Sequence, residues 1–181
     1  LSDLKSLRHL RIYQNKGTLS YIDSLESLKL EALKIELSAQ ASLAKDKATV
    51  LSAILTKSKT INDISLGFLS PQSLKYGSLD SLVIGLSSLQ NMKRLAFHAS
   101  YGDEMKTFFN GLRFKIDLQS ISLTLPYAKV VEVEALAQFL SYQRYLQELS
   151  IEYERRGHAQ AKLTPLFQAI SKLLLLKRLR L

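Results

Sequence analysis

The run Glu152-Tyr153-Glu154-Arg155-Arg156 is the densest group of chemically capable side chains in the sequence. Two carboxylates flank Tyr153, and the run then turns basic just before Gly157. Together with Lys162, the guanidinium groups of Arg155 and Arg156 form a candidate basic rim able to contact phosphate, with Tyr153 beside it for stacking. The other reactive types are dispersed. His9, His98 and His158 lie far apart and match no metal-ligand spacing. Glu132/Glu134 and Glu152/Glu154 are paired carboxylates at strand or helix spacing, with no neighbour to raise a pKa for acid–base work. The glycines are scattered and no Gly-Lys-Ser/Thr phosphate loop occurs. With no cysteine, thiolate metal sites, cysteine nucleophiles and disulfides are all ruled out. The sequence therefore predicts a non-enzyme with no catalytic set, no metal and no cofactor.

Lys and Arg exceed Asp and Glu by 25 to 16, a formal charge of +9. The excess favours encounter with an acidic protein, a membrane surface or a nucleic acid, and says nothing about fold. It lies in both outer thirds, while residues 61–120 are nearly neutral. The longest apolar run is Leu173–Leu176, so no signal sequence or inserted membrane span is expected. Residues 1–181 read as one domain, opening and closing inside an apolar pattern, as a piece of a longer array or protein would.

The elements that must hold these side chains follow from a repeated pattern, L-x-x-L-x-L. It appears at Leu7/Leu10/Ile12, Leu30/Leu33/Ile35, Ile61/Ile64/Leu66 and Leu79/Leu82/Ile84. It returns at Met92/Leu95/Phe97, Leu118/Ile121/Leu123, Leu146/Leu149/Ile151 and Leu176/Leu179/Leu181. The last two apolar positions, one residue apart, point to the same side of a short strand. The first enters the same core from the turn leading into it. Such strands cannot stand alone, so each unit must stack on the next. Successive second positions are separated by 23, 31, 18, 13, 26, 28 and 30 residues, which makes 68–92 an irregular centre.

Between the copies the period becomes helical. Helices are predicted over Asp46–Lys57, Asp103–Phe109 (ending at Asn110-Gly111), Val131–Tyr142 and Thr164–Leu176, the last capped by the Thr164 hydroxyl with Pro165 in its first turn. Loops are expected at 15–17, 68–78, 101–103 and 154–161.

This pattern resembles the leucine-rich repeat family, whose signature adds Asn or Cys three residues after the last strand leucine. The full form ends at Asn15, and Ser38, Leu69, Ser87, Ser100, Pro126 and Glu154 stand at the matching places. The resemblance implies an α/β solenoid of irregular, intracellular-type repeats, with parallel strands on a concave face and helices on the convex side. It further implies a scaffold that binds other proteins.

Alternation along the strands gives the side chains that would face a partner. Arg11, Tyr13, Lys34 and Glu36 form a charged end, Ser65, Val83, His98 and Thr124 a small and weakly polar centre, and Glu152 the far end. Gly67, Gly85 and Ala96 would let a partner press close. The expected role is an intracellular protein–protein scaffold within a larger protein or assembly. The alternative is a subunit associated with RNA or nucleoprotein through basic patches.

Overall fold

The computed structural model describes residues 4–19, 21–70, 73, 77–99, 105–125, 130–153 and 163–181. Among the described residues seven strands form one sheet: β1 (His9–Thr18), β2 (Ala32–Ser42), β3 (Asp63–Phe68), β4 (Arg94–Ala99), β5 (Ser120–Leu125), β6 (Glu148–Tyr153) and β7 (Arg178–Arg180). They pair in chain order and every pair is parallel. Helices α1 (Lys45–Lys57), α2 (Ser78–Ser88), α3 (Met105–Leu112), α4 (Val130–Ser141) and α5 (Thr164–Ile170) connect β2 to β7, and a short 3-10 helix, Ile22–Ser27, connects β1 to β2. Each helix packs on the next, so the architecture is an α/β repeat of solenoid type.

The register shows why the leucine pattern works. Leu10, Leu33, Ile64, Leu95, Ile121, Leu149 and Leu179 align across the sheet, and Ile12, Ile35, Leu66, Phe97, Leu123 and Ile151 form the next inward row. A backbone joint repeats with them. At the start of each strand from β2 to β7, two consecutive N–H groups donate to one carbonyl of the preceding unit, at 2.7 to 3.2 Å. The acceptors are Arg8, Glu31, Asn62, Lys93, Gln119 and Gln147. All but Arg8 stand at equivalent places in successive units and are themselves the first donor of a pair, so each such residue donates to the unit before it and accepts from the unit after it.

One expected repeat is not a strand. Leu79/Leu82/Ile84 lies in α2, whose buried set is Leu79, Leu82, Val83 and Leu86, a helical spacing. Ile84, the third member of the supposed motif, is 61% exposed. Removing this copy merges the intervals of 18 and 13 into one of 31, from Ile64 to Leu95, and the irregular centre disappears. Gly77, at φ 73°, precedes α2 in a left-handed conformation that glycine adopts without strain.

Other boundaries shift. The expected loop at 15–17 belongs to β1, which pairs with β2 as far as Thr18–Ser42 after a register shift between Gln14 and Lys16. Helix α3 runs through Asn110-Gly111 because Met105, Phe108, Phe109 and Leu112 make one buried stripe. Helix α5 stops at Ile170, and Thr164 is its first helical residue and makes no side-chain cap bond. Serine hydroxyls tie the early repeats to the backbone of the unit before. Ser38 Oγ bonds the Asn15 carbonyl and accepts from the Gln40 N–H, while Ser70 and Ser73 bond the carbonyls of Ala39 and Ser38.

A chain of phenylalanines runs through the core between sheet and helices. Ring centroids lie 5.7 Å apart for Phe68–Phe97, 4.2 Å for Phe97–Phe108, 5.6 Å for Phe108–Phe109 and 5.8 Å for Phe109–Phe139. Of the buried polar side chains, Gln143 is the one left with an unsatisfied atom among the described residues. Gln143 is 1% exposed and its Oε1 has no partner, while its Nε2 makes only a 3.4 Å contact with the Phe139 carbonyl. Leu173 in the next repeat and Leu89 two repeats earlier occupy the same turn position, each N–H bonding the carbonyl three residues back as Gln143 does; Lys115 holds it in the repeat between. Gln143→Leu should therefore stabilise the fold by about 1–2 kcal/mol by removing a buried unsatisfied acceptor. A rise in thermal midpoint checks it; an unchanged or lower midpoint contradicts it.

Candidate recognition face

The face of the sheet opposite the leucine rows carries three outward rows. The first is His9, Ala32, Asp63, Arg94, Ser120, Glu148 and Arg178, and the second is Arg11, Lys34, Ser65, Ala96, Ser122, Ser150 and Arg180. The third is Tyr13, Glu36, Gly67, His98, Thr124 and Glu152. Strand alternation produces all three, since residues on either side of an inward leucine must point away from the core.

Most of the expected site residues fall on this face. Arg11 Nη2 donates to Glu36 Oε2 at 2.7 Å, and Lys34 Nζ lies 3.1 Å from Glu36 Oε1. The Arg11 hydrogen bond is the largest influence holding the Glu36 carboxyl below its ordinary pKa; burial opposes it and Lys34 adds to it. Because the folded pKa is depressed, this interaction is present above the ordinary carboxylate range and is lost as pH falls through the folded value. Its contribution is small because the cluster faces solvent. Tyr13 is 57% exposed beside this cluster. Ser65, His98 and Thr124 are half-buried in the middle of the sheet, and Glu152 is exposed towards the far end.

Val83 does not belong to this face. It sits on α2, buried against the rest of the core, and Gly85 is on the same helix. Leu79 and Leu82 share a side in this helix as they would in a turn feeding a strand, so the pattern L-x-x-L-x-L fits both. Arg155, Arg156 and Lys162, the expected basic rim, lie outside the described residues.

The first outward row was not anticipated, and it holds much of the charge. Arg94 Nε donates to Asp63 Oδ2 at 2.8 Å, and Arg178 Nη2 pairs with Glu148 Oε1. In both pairs the cation stands on a strand nearer the C-terminus than its carboxylate. The same alternation that placed Arg11 and Lys34, taken one residue before each central leucine instead of after it, points to Asp63, Arg94, Glu148 and Arg178. Beside these pairs, starting next to the Arg11–Lys34–Glu36 cluster, a trough of small side chains crosses β3 to β6: Ser65, Gly67, Ala96, Ser122 and Ser150. Gly67 leaves it open on the side of Glu36, whose Cγ would lie 3.3 Å from an added Cβ.

Among the described residues, no three His, Cys, Asp or Glu side chains converge to hold a metal ion. No helix among them is long and apolar enough to cross a membrane. No family model matches the chain, and no curated protein matches it.

Proposed function

We propose that the chain is a non-catalytic scaffold of the leucine-rich-repeat type that binds another protein across the open, concave face of its sheet. The observation that carries this reading is a parallel sheet with one face that no helix among the described residues covers. Parallel sheets are ordinarily buried on both faces, because crossover helices cover them. Here the helices and the leucine rows share one side, and the other carries ordered rows of charged and small residues. A partner of complementary shape would seat in the small-residue trough, flanked by Arg11, Lys34 and Glu36 at one end and Glu148, Glu152 and Arg178 at the other. Ion pairs at such a rim set orientation and rate of encounter more than affinity.

Ala96→Arg combined with Ser122→Arg tests the reading. Both positions are adjacent in register and point outward, so the bulk enters the trough and not the core. Proteins crosslinked to the wild-type chain in cells should be lost from the double variant, while its thermal midpoint stays within a few degrees. Retention of the same crosslinked proteins would refute open-face binding. The RNA-associated alternative predicts a different result: recovered RNA, released steeply as salt rises.

A further inference from the structure

The helix-to-strand turns ahead of β5, β6 and β7 share one conformation. The N–H groups of Lys115, Gln143 and Leu173 bond the carbonyls of Leu112, Leu140 and Ile170 at 2.9 to 3.0 Å, and the strands that follow pair in register. The turns therefore stack along one edge of the repeat, as the 6.3 Å ring separation of Phe114 and Tyr142 shows directly. Their tips are apolar and exposed: Phe114 (71%), Ile116, Tyr142, Tyr145, Leu174 (92%) and Leu175.

The fold does not require apolar residues there. The turns ahead of β3 and β4 make the equivalent bonds, from Ser58 to Leu55 and from Leu89 to Leu86. At the tip positions these earlier turns carry Lys57, Lys59, Ser88 and Gln90. Thr60 and Asn91 there bond the preceding turn through the carbonyls of Leu30 and Lys59; Tyr145 and Leu175, at the same step, are exposed instead. The change in composition along an unchanged backbone calls for an external reason.

Charge supplies the second half of the argument. Segments 113–119, 142–147 and 171–177 contain five cations and one carboxylate, Asp117. Arg113, Arg144, Lys172 and Lys177 have no ion-pair partner among the described residues, and the Arg113 guanidinium lies 4.5 Å above the Phe114 ring.

We propose that this edge docks peripherally on an anionic membrane surface, with leucine, isoleucine and aromatic tips entering the headgroup–acyl boundary and the cations meeting lipid phosphate and carboxylate. Apolar and aromatic tips ringed by Lys and Arg are the composition that such an interface selects. A nucleic acid would satisfy the cations and stack on the rings, but it offers nothing to Leu174, Leu175 and Ile116.

The test is flotation of the full chain with vesicles of phosphatidylcholine alone, or with about one third phosphatidylserine. Wild type should float with the anionic vesicles, less so as salt rises, and should leave the neutral ones. Phe114→Ser with Leu174→Ser should weaken binding at least about tenfold. Arg144→Glu with Lys172→Glu should abolish it. Ile84→Ser, an exposed apolar residue on α2 away from the edge, should change nothing. Equal thermal midpoints establish that the variants are folded. The proposal is overturned if wild type fails to bind anionic vesicles, if it binds neutral ones equally, or if the edge variants bind as wild type does. It is also overturned if the edge variants lose only an RNA or an acidic polypeptide.

Discussion

Phe97→Ala should destabilise the protein by about 3–5 kcal/mol, a large share of the 5–15 kcal/mol that holds a typical domain together. Phe97 is fully buried, and its ring links Phe68 of β3 to Phe108 of α3. Truncation removes the aromatic contacts on both sides and leaves a cavity at the junction of sheet and helix layer. Neighbouring units cannot collapse into that space without breaking the register of β3, β4 and β5. Urea unfolding should show a lower midpoint with an unchanged slope, since the surface exposed on unfolding hardly differs. Phe97→Leu, which keeps most of the volume, should cost about 1.5 kcal/mol. A loss below about 1 kcal/mol for Phe97→Ala would show that the ring chain does not join the layers.

Gly85→Val should cost at least about 3 kcal/mol, through close approach of two helices. An added Cβ at Gly85 would sit 2.7 Å from the Ser52 Cα and 3.0 Å from its carbonyl oxygen, so the obstacle is the α1 backbone itself. Even Gly85→Ala, which gains about 1 kcal/mol of helix propensity, should be destabilising on balance. On its other side α2 has a softer contact. At Gly111 an added Cβ would meet the Val83 Cγ1 at 2.0 Å. Val83 is stiff at χ1 and cannot swing aside freely, yet it can be removed. Gly111→Ala should therefore be destabilising alone and partly rescued by Val83→Ala, a coupling that a double-mutant cycle reads directly. Gly85 should have no such side-chain rescue. Equal rescue at both sites would contradict the assignment of the backbone as the Gly85 barrier.

These two positions also mark where sequence reasoning met its limit. A leucine pair three apart belongs equally to a turn feeding a strand and to one face of a helix, so Leu79/Leu82 matched the strand mask although the chain there is helical. The third position was the discriminator: Ile12, Ile35, Leu66, Phe97, Leu123 and Ile151 are buried, whereas Ile84 is exposed. Burial is a tertiary property, and the letters alone do not carry it. The other strands were legible because each has its inward pair, and α1 and α4 because their apolar stripes run over several turns. Strands β1 and β2 extend further than their leucines require, since Lys16–Thr18 and Gln40–Ser42 pair through backbone groups. The candidate face was half legible. Arg11 and Lys34 follow from the residue after the central leucine, and Glu36, His98 and Thr124 from the residue after the third apolar position, but Asp63, Arg94, Glu148 and Arg178 need the residue before the central one. The ion pairs among them depend on which strands become neighbours, which only the completed order of the sheet decides.

The paired N–H groups that meet a single carbonyl at each of the six strand junctions are made wholly of main-chain atoms, and the residues supplying that carbonyl are as unlike as Arg8, Glu31, Asn62 and Gln147. The joint is therefore blind to side-chain identity. Mutation can rewrite the outward rows residue by residue, or duplicate a whole rung, without renegotiating how rungs are fastened. Heredity can thus vary what the molecule recognises while leaving its carpentry alone.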